Sequence, residues 1–247
     1  MNVVDALDAA TGTTCLVGAG GKKTTLYALA NRLDRSVVTA TVRIPIFDRQ
    51  VAAVRTTTDP VVAFETDPPF PIGLVPERER EDRYLGYDPE TVDAIGSAHD
   101  GPVLVKADGA RTRLLKAPDD REPQVPATAD TVVPVASAHA VGQPLTEAVV
   151  HRPKRVAAIT GAAIGDEITP EIVGRVLAHE RGGLKRIPAD ATAIPLVNMV
   201  DDEADEAVAR RVAAVVREEA LDGPIDVPRI VLARMRDATV VDVVDVV

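Results

Sequence analysis

The chain has 247 residues, with 28 basic and 38 acidic side chains and a net charge of −10. A chain of this size buries about 70–75% of its unfolded surface without staples, and it is read as one domain over residues 1–247. The acid excess argues against a general nucleic-acid backbone binder and against docking on anionic lipid.

With Cys15 alone, no internal disulfide and no cysteine zinc pair is expected. A reducing, cytoplasmic compartment is expected. No apolar run approaches ~20 residues, so no membrane span is expected. Met1 to Ala10 carries two aspartates and no basic residue, the wrong start for a secretory signal.

Thr13 to Val17 reads as a β-rich strand, broken by Gly18-Ala19-Gly20-Gly21. Thr24 to Leu33 follows as a helix, with Leu26, Leu29, Ala30 and Leu33 on one face. Ser36 to Val42 is a second strand, residues 43–59 look irregular, and Val61 to Glu65 reads as a short strand. Four prolines in residues 66–82 predict an extended loop. Pro89 to Ala98 is a helix, and Val103 to Ala107 is a buried strand ending at Asp108. Residues 109–129 form a charged, proline-containing loop of functional length, and Thr131 to Ala136 is the next strand. Thr169 caps a helix with Pro170 at its first position, running to about His179 and stopped by Gly182-Gly183. Ala193 to Val197 is a strand. Glu203 to Ala220 is a helix with Val208, Val212, Val215 and Val216 as its apolar stripe. Arg229 to Ala233 and Thr239 to Val247 are terminal strands. Alternating strands and helices predict an α/β fold, a mostly parallel sheet with helices on both faces.

The segment from Gly18 to Thr25 is strand, glycine turn, then helix, the place where such a fold binds phosphate. Backbone N–H groups converge there, and the helix end carries about half a positive charge. Only six lysines occur among 28 basic residues, yet Lys22 and Lys23 sit side by side in this turn. A dinucleotide G-x-G-x-x-G fails at Lys23, and a full G-x-x-x-x-G-K-[ST] loop fails at Leu16 or Val17. The shorter G-x-x-G-K of Gly18, Gly21 and Lys22 resembles the phosphate loop of Mur-type ligases. Lys22 would neutralise phosphate charge, with Lys23 assisting, and Thr24 would hold Mg²⁺. Asp108 stands where a second nucleotide motif places its Mg²⁺-ordering carboxylate. Arg111, Arg113 and Lys116 then reverse the local field and suit a second, anionic group.

These blocks resemble the YqeC family: Gly18 to Lys22, Ala107 to Arg111, Leu115 to Pro118, Glu122-Pro123, Gly142 to Leu145, Val150 to Arg152, Gly182 to Lys185 with Pro188, and Asn198 to Asp201. They run in family order from about residue 14 to 205. The resemblance implies a nucleotide-dependent step in maturing the cofactor of a selenium-dependent molybdenum hydroxylase. It implies a P-loop-NTPase-like or Mur-like domain using Mg²⁺ with ATP or GTP. Gly18, Ala19, Gly20, Gly21, Lys22, Lys23, Thr24 and Thr25 then form the phosphate loop and helix start. Thr39 and Thr41 end the second strand. Asp108, Arg111 and Lys116 form the central motif, with His151 and Arg152 as a further pair.

Three positions depart from the family pattern. Lys106 stands where an acid is usual, Ala40 interrupts the threonine run, and Met199 replaces a lysine that would pack on a base. Asn198 and Asp201 are base-contact candidates. Implied partners are a nucleotide, an anionic small molecule or cofactor and a molybdenum hydroxylase, with neither nucleic acid nor membrane. NTP hydrolysis or group transfer is one outcome. The alternatives are a nucleotide-gated cofactor chaperone without chemistry, and a Mur-like ligase or small-molecule kinase unrelated to selenium. Cys15, mid-strand and apolar in context, reads as a buried hydrophobe.

Overall fold

A computed structural model describes residues 1–221 and 223–246. Its strands are β1 (Thr13–Gly18), β2 (Val37–Ala40), β3 (Ile44–Pro45), β4 (Ala53–Thr56), β5 (Ile72–Val75), β6 (Arg83–Tyr84), β7 (Val103–Lys106), β8 (Leu115–Lys116), β9 (Thr131–Ser137), β10 (Val150–His151), β11 (Thr192–Ala193), β12 (Leu196–Asn198), β13 (Arg229–Arg234) and β14 (Thr239–Asp245). The helices are α1 (Val3–Ala6), α2 (Lys22–Ala30), α3 (Pro89–Ala98), α4 (Pro153–Thr160), α5 (Pro170–Ala178) and α6 (Glu203–Ala220).

The fold is α/β. The main sheet runs β14-β13-β12-β9-β1-β7-β2-β5-β4, with β11 also on β9. Every pairing in it is parallel except β13 with β14. Alternation along the strands divides the core in two. Leu16 and Leu104 join Leu26 and Leu29 of α2 on one face. Cys15, Val17, Val103 and Val105 join Val92 of α3, Val156 of α4, Val173 of α5 and Val212 of α6 on the other. A sheet buried on both faces explains why its strands read as continuous apolar runs. Cys15 is fully buried within it, and burial pushes its thiol up.

β1 lies between β7 and β9. The chain leaves β1 for β2 on one flank and later builds β9 and β12 on the other. Connections diverging at a central strand open a crevice beyond its carboxyl end, where open α/β sheets take ligands.

Several elements differ from the sequence expectation. Residues 61–64 form a 3₁₀ turn after Pro60 rather than a strand. The 66–82 segment contains β5, fully buried between β2 and β4. Its prolines at 71 and 76 bracket the strand and leave its interior N–H groups intact. The irregular 43–59 stretch holds β4. Pro195 splits the expected 193–197 strand into β11 and β12, since it lacks a ladder donor. α4 follows Arg152, whose φ is 66° and whose side chain does not cap the helix, so its start carries no cap signal. The fully buried face of α6 is Ala209, Val212, Ala213, Val216 and Ala220; Val208 and Val215 flank it part-buried, Val208 against the core and Val215 against Gly174 of α5. Val247 of the last predicted strand lies outside the described residues. Among the described residues, no helix is long and apolar enough to cross a membrane.

Candidate functional site

Beyond the carboxyl ends of β1, β2 and β7 lies a cavity of about 1010 Å³. Its walls are the glycine turn, the 41–45 and 83–86 segments, Lys106 and the loop after Asp108. Nine basic residues line it and two acidic ones, Asp119 and Glu122. In a protein of net charge −10, this is a strong local inversion of sign. Some of the cations are spent on the protein itself. Arg43 makes a bidentate pair with Glu79, and Arg152 binds Glu122 at 2.7 Å and Asp119 at 2.5 Å. Among the described residues, the side chains of Lys23, Arg111, Arg113 and Arg121 have no ion-pair partner. Those four are available to an anion.

The turn itself is held from behind. Gly20 and Gly21 have φ of 84° and 125°, in the range that favours glycine. A Cβ on Gly20 would stand 2.5 Å from the Ser137 nitrogen. Gly18 N–H donates to Asp108 Oδ2 at 2.9 Å, Ala19 N–H to Val135 O at 2.8 Å and Gly20 N–H to Arg113 O at 2.9 Å. The first three residues of the motif therefore do not offer N–H groups to a ligand. The donors left are those of Gly21, Lys22, Lys23 and Thr24, which no described hydrogen bond engages. α2 also has no side-chain cap and no acid in its first turn, whereas α3, α5 and α6 are capped by Asp88, Thr169 and Asp202. An uncapped helix end beside free cations has the donors and the charge to take an anion. Thr24 is exposed on the cleft. Thr25 is buried and donates back to Gly21 O, so it takes no part in the cleft wall.

Beneath the turn lies a buried ionic cluster. Asp108 is 1% exposed. Lys116 Nζ is 2.7 Å from Asp108 Oδ2 and 2.7 Å from Glu122 Oε2, and it donates to Gly109 O. Lys22 Nζ is 2.7 Å from Asp108 Oδ1. That contact is poorly angled, so Oδ1 has no hydrogen bond, and Lys22 donates instead to Gly18 O. Burial raises the Asp108 carboxyl, but the flanking Lys22 and Lys116 outweigh it and hold it below its ordinary value. Lys106, close by, donates to Arg43 O at 2.9 Å. Burial, then the like charge of Lys22, brings it down to about 7. Desolvation disfavours an ammonium in this way.

This geometry changes the roles expected of these residues. Lys22 and Lys116 are directed at Asp108. An ammonium group lies 2.7 Å from each Asp108 oxygen, a surrounding of like charge in which the Thr24–Asp108 pair does not fit Mg²⁺. Among the described residues, the one set of three converging donors is His139, Asp201 and Asp205. These are part-exposed and contact one another, His139 Nε2 lying 3.1 Å from Asp205 Oδ2. Asp201 therefore lies off the cleft, 3.7 Å from Arg236.

Asn198 is buried, and its amide is consumed: Nδ2 donates to Gly20 O at 2.8 Å, and Oδ1 accepts from Met235 N–H at 2.9 Å. It positions the turn and is not free for a base. Asn198→Ala is expected to cost about 1–3 kcal/mol per buried group left unpaired, read as a lower urea midpoint with unchanged slope. Met199 lines the cleft. Thr39 and Thr41 donate to Leu74 O and Gln124 O, fastening β2 to its surroundings. His151 is pushed down to about 4, by burial first and then by Arg152 and Lys116, so it is neutral at pH 7. Lys106 was visible as a departure from the family pattern, but its place among the cations depends on the β2–β7 pairing.

A family model described as "YqeC protein" matches residues 14–154. The Escherichia coli (strain K12) protein named "Uncharacterized protein YqeC" is 29% identical over 192 residues, covering 74% of this chain and 74% of its own length. The matched stretch carries the glycine turn, Asp108, Lys116 and Arg152, and on this ground the chain belongs to the YqeC family.

Proposed function

We propose that the cleft binds a nucleotide, ATP or GTP, or a closely related phosphate-bearing ligand, with its anionic end at the first turn of α2. The observation that carries this is the conjunction of four unengaged N–H groups at an uncapped helix start with unpaired Lys23, Arg111, Arg113 and Arg121 on the same cleft. The strand order around β1 supports it, since the crevice lies where connections diverge. The resemblance supplies the setting: maturation of the cofactor of a selenium-dependent molybdenum hydroxylase, with an anionic cofactor or small molecule as second ligand and the hydroxylase as partner.

Of the readings open to such a site, nucleotide-gated binding is favoured over hydrolysis or group transfer. Asp108 is the carboxylate nearest the turn, and both of its oxygens are held by lysines. Chemistry at this site requires those pairs to break first.

Calorimetric titration of ATP and GTP tests the reading. Lys23→Ala and Arg111→Ala remove unpaired cations from the cleft wall. Each is expected to weaken binding by about 1.5–3 kcal/mol, the range for a charge-assisted hydrogen bond. Unchanged affinity in both variants would refute the site.

A further inference from the structure

We propose that the groove between α2 and the β13–β14 turn seats the sugar and base of a nucleotide whose phosphates lie at the first turn of α2. This rests on the phosphate reading above and adds where the rest of the ligand goes.

The groove has a volume of about 450 Å³, within the range of small-molecule sites. It shares Lys23 and Thr24 with the large cleft, so the two hollows meet at the helix start. From there Lys23, Tyr27 and Asn31 follow at four-residue spacing, with Thr24 and Ala28 beside them. That stripe runs about 12 Å along the helix at 1.5 Å per residue. The opposite wall is Met235 to Ala238.

The walls are fixed relative to each other. Arg32 donates to Ala28 O at 3.0 Å and to Asp237 O at 3.4 Å. A single buried amide also registers the groove against the phosphate turn. Asn198 holds Gly20 with its nitrogen and Met235 with its oxygen. One residue thus sets the distance between the anion seat and the far wall of the groove. A ring face would meet the half-buried Ala28, the Met235 side chain being buried in the core behind the wall, and the exposed Gln50 offers a side-chain amide that no described hydrogen bond engages. The large cleft is the less suitable seat for a base, because its wall is dominated by cations.

The test is calorimetry on the full chain with ATP, GTP and inorganic tripolyphosphate. Wild type is expected to bind at least one nucleotide about tenfold or more tighter than tripolyphosphate, a difference of about 1.4 kcal/mol. Ala28→Trp fills the groove at a half-buried position. It should abolish that advantage and leave tripolyphosphate binding unchanged. Ala28→Leu, a smaller block and a strong helix former, repeats the measurement should the tryptophan variant not fold. Nucleotide affinity unaltered in the blocked variants overturns the proposal, as does equal binding of tripolyphosphate and nucleotide by wild type. In the latter case the phosphate site stands and only the groove fails. If wild type binds none of the three, the phosphate reading fails and the groove fails with it.

Discussion

Asp108→Ala is expected to be one of the most damaging single substitutions in the protein. It leaves Lys22 with one backbone acceptor and Lys116 with Glu122 and Gly109 O, both ammonium groups being almost wholly buried. Removing one partner of a buried ionic group typically costs about 3–5 kcal/mol, since an uncompensated charge remains. For a chain of this size that corresponds to a fall in melting temperature of about 6–20 °C. Because its carboxyl is held below the ordinary value, Asp108 contributes stability above about pH 4, its unfolded value. That contribution is lost as pH falls through the lower folded value. Wild type should therefore lose stability on acidification below pH 4 more steeply than the variant. Parallel acid-unfolding curves would show that the carboxylate is not the group being stabilised.

The same cluster shows what the sequence conveys and what it withholds. The glycine turn, Asp108 and Lys116 were identifiable as chemistry-bearing residues, and the fold does bring them together. Their partners were not identifiable. Lys116 reaches Asp108 because β8 pairs with β10, a contact between residues 115–116 and 150–151 that local patterning does not encode. Lys22, expected on the phosphates, and Lys116, expected on a second anionic substrate, therefore have their charge committed internally. The cations without an ion-pair partner are Lys23, Arg111 and Arg113, all three legible in the sequence, and Arg121, which its loop context does not single out. Asn198 and Asp201 fit a base-reading pattern by spacing alone, yet the strand end turns the amide inward to brace the turn. In the fold, α5 and α6 start where their side-chain caps predict, whereas the four-residue α1, capped by Asn2, is too short to show a period. α4, preceded by the left-handed Arg152 and without a side-chain cap, carries no such signal. β5 was hidden by prolines that mark its ends.

Lys106→Met is expected to stabilise the protein at neutral pH, the opposite sign from Asp108→Ala. Lys106 is 6% exposed and lies near Lys22 and Lys116, with Asp108 and Glu122 only partly compensating. Its folded value is about 7 against an ordinary 10.5, so the fold favours the neutral amine. Between pH 7 and 10.5 the unfolded chain keeps a proton that the folded one has lost. Stability therefore rises with pH across that window and is flat below it. At 1.36 kcal/mol per pH unit the penalty at pH 7 is roughly 4 kcal/mol. Losing the hydrogen bond to Arg43 O returns about 1 kcal/mol, for a net gain of about 2–4 kcal/mol. Urea unfolding of both proteins from pH 6 to 9 checks the gain and the loss of slope. A less stable variant at pH 7 would mean that the neighbouring carboxylates, and not desolvation, dominate this lysine. The same amine couples to the ligand. An anion in the cleft favours the ammonium, so above pH 7 binding must take up a proton, and affinity falls as pH rises. Calorimetry in buffers of different ionisation enthalpy should register that proton in wild type and not in Lys106→Met. A phosphate ligand lying close enough to Lys106 to feel its charge requires that difference.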